Sequence, residues 1–473
     1  MSERDELNRE ITVSDNQSAA TQVGTAPLET PAAGVDPAQV VKRVGRRLMP
    51  YVFALYFMSI VDRGNLGFAA LAMNSELHLT REMFGFGVGI FFLTFALFEL
   101  PSNLALARFG ARATLTRIAI LWGLATMLMA FVSGPNSFYG MRALLGAAEA
   151  GIAPGVFLFI SYWFPTAYRA RYNAVFIYAV PVAYAVASVV SGWIMQLDGT
   201  LGLPGWKWLF LLEGLPAILL GLFGLWYLTN KPTEAHWLSA ADRRWLQDTL
   251  DREAQAPASE KRAHPLRVFA NPNVLLMASV MVGIFSGLAT LNTWLPLIIR
   301  GFGVPLKLIG PLAALPSFAG AVGMFLTSRH SDRHSERVWH LIGALLFAAL
   351  GYVAIALSTS LALTILGFVL ANIGIYSANA VFWTIPQSFL PKNMTAAGLG
   401  IISTVASLAG FGITTLVGHI QEKTHNLTSC FAIVIAVLLV VAVIAYILGR
   451  RLKHMPDASL HAAVGSAVAG SPH

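Results

Sequence analysis

Four ionisable residues, Asp62, Arg63, Arg142 and Glu149, stand inside long apolar runs where charge is out of place. An ionisable side chain at the centre of a bilayer costs roughly 2.5 to 3.5 kcal/mol on insertion scales, so the four together would cost about 10 to 14 kcal/mol if unpaired. That rivals the stability of a whole domain. Two acids and two arginines sum to zero charge, which points to mutual pairing or a shared aqueous cavity. Arg63 shares a helical face with Ser59 and Tyr56, at i−4 and i−7, which suggests a polar lining. Arg142 and Glu149 are seven apart and also share a face, and Glu149 sits in GAAEAG, where another helix can approach closely. The competing readings are a snorkelling charge pair at 62–63 and a structural ion pair between Arg142 and Glu149. The chemistry open to such a set is anion binding and proton carriage.

Other polar residues in apolar surroundings suggest lesser roles. Glu99, in FELPSN, is expected to hold loop arginines such as Arg108 or Arg112, and Glu213, in LLEGLP, to cap or pair locally. Asp332 and Arg333 read as a latch at a gate. Asn372, Tyr376, Asn379 and Trp383 fall on one helical face, at i, i+4, i+7 and i+11. Ser403, Ser407 and Thr414 form a second stripe, and Ser286, Thr290 and Thr293, with Asn292 beside them, a third. Interhelical hydrogen bonds of about 0.6 kcal/mol each would explain any one stripe. Three stripes favour a cavity, with Asn292, Tyr376, Asn379, Trp383, Ser403 and Ser407 as its candidate substrate contacts, and the polar face of Tyr56 and Arg63 is a candidate lining from the first half.

Motifs for soluble chemistry are missing. Gly85, Gly87 and Gly89 begin like a nucleotide loop, but Ile90 breaks GxGxxG, so close helix packing is the better reading. Gly151 with Gly155 and Gly283 with Gly287 repeat that spacing. His330, His334 and His340 cluster without the carboxylates or thiols that would complete a metal site. No metal or organic cofactor is expected.

The elements that must position these residues follow from composition. Of 473 residues, 56% are hydrophobic and 12% charged, which excludes an ordinary soluble enzyme. The single cysteine, Cys430, excludes a disulfide scaffold. Apolar stretches predict twelve spans, at 48–70, 84–106, 114–133, 137–160, 172–195 and 207–229, then at 274–299, 309–327, 339–358, 362–388, 397–418 and 428–449. The expected organisation is a polar tail (1–46), a six-helix bundle (47–229), a central loop (230–273) with short surface helices, a second six-helix bundle (274–450) and a C-tail (451–473). On these spans, Asp62 and Arg63 lie about 11 to 12 Å, Arg142 about 8 Å and Glu149 about 18 Å below the outer surface.

The net charge of +8 raises the question of a nucleic-acid partner. Placement answers it. Of the 32 Lys and Arg residues, 25 fall in the tails, the central loop and the loops on the same side, while Arg81, Lys207, Arg300, Lys307 and Lys423 face the other side. This bias puts both termini in the cytoplasm and removes the nucleic-acid reading.

The strings DRGNLGFA (62–69), FELPSNLALARFGAR (98–112), RALLGAAEAG (142–151), YWFPTAYRAR (162–171) and WLFLLEGLPA (208–217) resemble the major facilitator superfamily. More narrowly, they resemble its anion:cation symporter family of sugar-acid, tartrate and phthalate permeases, over about residues 47–450. The resemblance implies an all-α fold of two six-helix bundles, alternating access and proton-driven uptake of an organic anion across a bacterial inner membrane. By matching motif, Arg63 would bind the substrate carboxylate, Asp62 and Glu149 would couple protons, and Arg142 would pair with them. Ala107 stands where the superfamily's loop motif has an aspartate, while Asp332-Arg333 keep that pair in the second half. Ser403 and Ser407 replace asparagines of many relatives, which argues against a polyhydroxy sugar acid.

The expected function is import of a small carboxylate by proton symport, driven by the proton gradient, in a monomeric transporter rather than an enzyme. Antiport efflux of drugs or organic anions is the rival. A membrane substrate sensor is a remote third, since no signalling domain is evident.

Overall fold

A computed structural model describes residues 35–255, 268–390 and 392–453. Fourteen helices carry the architecture. The first half holds α1 (Pro37–Glu76), α2 (Arg81–Phe109), α3 (Ala111–Leu128), α4 (Pro135–Glu149), α5 (Ile152–Trp163), α6 (Thr166–Ile194) and α7 (Gly205–Tyr227). A connecting helix, α8 (Ala240–Gln255), leads to α9 (Pro272–Gly301), α10 (Leu306–Arg333), α11 (Val338–Ala356), α12 (Leu361–Phe389), α13 (Lys392–Thr424) and α14 (Leu427–Lys453). Eleven segments are long and apolar enough to cross a membrane, with α4 and α5 counting as one. Helix α1, whose 40 residues carry the adjacent Asp62 and Arg63, is not among those eleven.

The two halves repeat one pattern of packing. In the first, α3 packs on α7, α2 on α4, and α1 on both α6 and α7; in the second, α11 packs on α14, α10 on α12, and α9 on both α13 and α14. Between the halves α2 lies on α13, α6 on α10 and α1 on α9.

Several boundaries differ from the sequence expectation. Helix α1 starts at Pro37, inside the expected tail, because Asp36 caps it by accepting from the N–H of Ala38 and Gln39. The tail up to residue 34 and the C-tail from 454 lie outside the described residues. Helix α14 ends at Lys453, just past the expected edge. The fourth span is two helices, not one. Gly151 has φ of 90°, a left-handed conformation that suits glycine, and Ala150 leaves the helix before it. A Cβ at Gly151 would lie 2.5 Å from Ser102 Oγ, so α2 also requires glycine there. Glu149 is therefore the last residue of a half-helix inside the span.

Helix α8 packs on the first half. Asp242 accepts from Arg43 at 2.7 Å, Glu253 from Arg169 at 3.1 Å, and Trp237 stacks on Trp163 with centroids 5.8 Å apart. The opposite end of the molecule is sealed between the halves. There Glu422 accepts from the Arg81 backbone N–H at 2.9 Å, and His419 meets Glu82 at 2.9 Å. Below these contacts α2 and α13 touch backbone to backbone: a Cβ at Gly85 would lie 2.6 Å from the Thr414 carbonyl oxygen. Gly192 and Gly310 bring α6 and α10 equally close. The glycine spacing read in the sequence as close packing does that here.

Candidate functional site

Arg63, on α1, donates from Nε to Glu149 Oε1 at 2.7 Å. The Glu149 side chain is fully buried, and among the described residues its Oε2 has no hydrogen-bond donor. Arg63 keeps about a fifth of its side chain exposed (20%), and among the described residues no hydrogen bond engages its terminal nitrogens. The α1 and α4 ranges explain the meeting. Arg63 lies about 20 Å and Glu149 about 21 Å along their helices from the sealed end, at 1.5 Å per residue. The shallower depths expected from sequence came from placing both helix ends too far inward.

The arginines are held by aromatic rings. Arg63 lies 4.9 Å from the Phe95 centroid and 5.6 Å from that of Phe91, and Arg142 lies 4.7 Å from that of Phe91. Phe91 thus gives each arginine a cation–π contact, worth about 0.5 to 2 kcal/mol depending on desolvation. Tyr56, from the face predicted for Arg63, and Tyr184 of α6 are within its electrostatic reach.

The expected four-member network divides in two. Arg142 is buried and donates from Nε to the Gly87 carbonyl oxygen at 3.3 Å. It is not in ion-pair contact with Asp62 or Glu149 among the described residues, although both acids are within its electrostatic reach. Asp62 turns away from Arg63 into the first bundle. It accepts from Trp122 Nε1 at 3.0 Å, Thr126 Oγ1 at 3.0 Å and Asn65 Nδ2 at 3.1 Å, which meets both its oxygens. Adjacent residues on a helix point about 100° apart, which is why 62 and 63 face different environments.

Three expected pairings are corrected. Glu99 does not hold Arg108 or Arg112: its Oε1 accepts from Ser403 Oγ of the second half at 2.8 Å, and its Oε2 is buried without a donor. Arg108 instead lies over Phe109, and Arg112 meets Asn230 through its backbone N–H. Both arginines are exposed beyond the end of the apolar stretch, whereas Glu99 sits two turns inside it. Asp332 does not pair with Arg333 in a latch between the halves but accepts from Arg337, within the α10–α11 turn. In that turn Glu336 accepts from the N–H groups of Trp339 and His340. Partial burial raises the Glu336 carboxyl, but those N–H groups and the His340 imidazole outweigh it and hold it below the usual carboxylate range. Glu213 does not cap or pair within its own helix but accepts from Ser191 Oγ of α6 at 2.8 Å.

From the second half, Tyr376 is fully buried, with Asn292 and Ser317 the polar side chains that approach its hydroxyl. It packs with Tyr184 and Leu288, so one ring from each half meets at the centre. Asn292 turns its amide to the Leu288 carbonyl of its own helix at 2.9 Å. Asn379 is half-buried, Trp383 is half-buried against Phe382, and Ser407 is buried. The structure brings Tyr56, Arg63, Glu149 and Tyr376 around Tyr184, and sets Glu99 with Ser403 beside them. Sequence reasoning missed Phe91, Phe95, Trp122, Thr126 and Tyr184. Phe91 and Phe95, at i and i+4 on α2, carried a signal, but phenylalanine in a membrane helix is too common to single out.

Two helical bundles joined edge to edge, with one end sealed and a charged, aromatic site midway between their ends, define a polytopic membrane transporter. Residues 52–414 match the family model of the Major Facilitator Superfamily, and this chain belongs to that family. It is therefore a transporter and not an enzyme. A provisionally named tartrate transporter of Agrobacterium vitis is 40% identical over 87% of this chain and 95% of its own length. A quinolone resistance transporter of Acinetobacter baumannii is 35% identical over 88% of this chain and 96% of its own. The same fold is seen in a bacterial homologue of the human lysosomal transporter Spinster, at TM-score 0.68 and 17% identity over 88% of this chain and 98% of that one. It recurs in the xylose transporter XylE from E. coli, at TM-score 0.67 and 15% identity over 88% of this chain and 98% of that one.

Proposed function

We propose that this protein imports a small organic carboxylate together with protons, by alternating access of the site around Arg63. The observation that carries this reading is the Arg63–Glu149 pair, in which only Nε of the guanidinium is engaged. Its terminal nitrogens are a ready fork for a carboxylate, a geometry that suits arginine better than lysine. The 40% identity to a protein named for tartrate transport supports the substrate class. The excess of Lys and Arg at the α8 end makes that end cytoplasmic, so the seal at Arg81 faces outward.

The coupling follows from exchange of partners. An anion that takes over Arg63 leaves Glu149 as an unpaired carboxylate away from water, and Glu149 then takes up a proton. Linkage requires the reverse as well, so a proton on Glu149 strengthens anion binding by the same factor. A monoanion and one proton cross as a neutral pair, and each further proton makes uptake voltage-driven. Arg142 fixes Phe91 and holds the field of the site, and Asp62 anchors α1 to α3.

Efflux by antiport is the second reading, favoured by the 35% identity to a quinolone resistance transporter. Thermal-shift measurements on the purified protein separate the two, because a ligand that binds only the folded state raises apparent stability. Dicarboxylates, including tartrate, should raise the melting temperature more at mildly acidic than at neutral pH, and Arg63→Ala should abolish the shift. If quinolones or other amphiphiles shift the melt and no carboxylate does, import of an anion is the wrong function.

A further inference from the structure

We infer that the cavity between α10 and α11 is a binding site for the phosphate of an anionic phospholipid. This site lies apart from the Arg63 site and does not rest on the transport reading. The cavity measures about 570 Å³ and is lined by Leu326, Thr327, Arg329, His330, Arg333 and His340. Arg329 and Arg333 stand one turn apart on α10 and have no ion-pair partner among the described residues, because Asp332 is taken by Arg337 and Glu336 by His340. The acids of the turn are thus spent, and the two guanidinium groups remain.

The imidazoles form a hydrogen-bonded chain beside the arginines. His340 Nδ1 meets Glu336 Oε2 at 2.7 Å, and His340 Nε2 meets His330 Nδ1 at 2.6 Å. With Glu336 accepting from Nδ1–H, the ring of neutral His340 accepts from His330 through Nε2. Protonating His330 then makes its Nε2 a donor.

Position selects a lipid over a soluble anion. Leu308, Leu315, Phe318, Val322 and Leu326 are exposed along one face of α10, and Arg329 and Arg333 continue that face. The face runs unbroken past Gly310, where α10 is closed onto α6, so at that level it borders lipid and not a cleft between the halves. Acyl chains can lie along the apolar stripe with the phosphate at its basic end. Beside the cavity the exposed Trp339 packs near Tyr446 at 6.0 Å, and Arg450 lies over Tyr446 at 5.4 Å. Aromatic rings and arginines together mark the interfacial layer, and basic pockets between membrane helices on the cytoplasmic side suit anionic headgroups.

Native mass spectrometry of the detergent-purified full chain tests the assignment, with phosphatidylglycerol, phosphatidylcholine and inorganic phosphate as probes. The expected result is retention of phosphatidylglycerol over phosphatidylcholine, a loss of affinity of about tenfold in Arg329→Gln/Arg333→Gln, and recovery in Arg329→Lys/Arg333→Lys. Arg117→Gln, which removes one exposed charge from α3, should leave retention unchanged. Equal retention of both lipids overturns the site, as does unchanged binding in the double glutamine variant. Displacement of phosphatidylglycerol by millimolar inorganic phosphate overturns the lipid assignment.

Discussion

Arg63 and Glu149, 86 positions apart in the chain, are joined by a hydrogen-bonded ion pair of 2.7 Å at the point where the fourth span breaks. The pair uses one nitrogen of the guanidinium and one oxygen of the carboxylate. Among the described residues the second oxygen of Glu149 is buried without a donor, a state that costs about 1 to 3 kcal/mol or more for a charged group. A pair that is only half satisfied is poised to change partners.

Replacing Glu149 with Gln should therefore uncouple transport and not abolish binding. Glutamine can still accept from Arg63, but it cannot take up a proton. In reconstituted vesicles, Glu149→Gln should fail to concentrate substrate against a gradient while still exchanging labelled for unlabelled substrate. Concentrative, proton-driven uptake at the wild-type level would remove Glu149 from the coupling role.

Asp62 should matter most for stability. Three donors converge on it, and Asp62→Ala would leave the Trp122 indole N–H and the Thr126 hydroxyl buried without their acceptor. Each loss costs about 1 to 3 kcal/mol. The melting temperature of the purified variant should fall well below that of Asp62→Asn, whose amide oxygen can still accept from Trp122 and Thr126. Equal stability of the two variants would contradict the anchoring role.

The seal depends on the absence of a side chain at Gly85. Gly85→Leu would place carbon 2.6 Å from the Thr414 carbonyl oxygen and force α2 from α13. In a Cys430→Ser background carrying Leu288→Cys, a membrane-impermeant maleimide added on the sealed side should label the Gly85→Leu variant several-fold faster. Labelling at the parent rate would place the closing contact elsewhere.

Glu336 predicts a local response to acid. Its value in the folded chain lies below the ordinary carboxylate value, so folding favours its ionised form. The contribution to stability is fully present above the unfolded value and is lost as pH falls through the folded one. Hydrogen exchange at the α10–α11 turn should speed up below the normal carboxylate range, and Glu336→Gln should flatten that dependence. An identical pH profile in the variant would show that another group governs the turn.

The sequence alone determined the class of the molecule and its main actors. Apolar runs of about 20 residues can only be membrane spans, the excess of basic loops sets their expected direction, and a charge within such a run demands a partner. That logic singled out Arg63 and Glu149 before any geometry was known. Partner choice was decided by tertiary structure. A helix face allows several neighbours, and only packing shows that Asp62 turns to Trp122, that Glu99 reaches Ser403 across the halves, and that both arginines reach Phe91. The break at Gly151 was likewise hidden, since GAAEAG reads as helix until α2 is found where a side chain would be. Periodicity encodes which way a residue points along its own helix, whereas the contact it makes depends on which other helix the fold brings to that face.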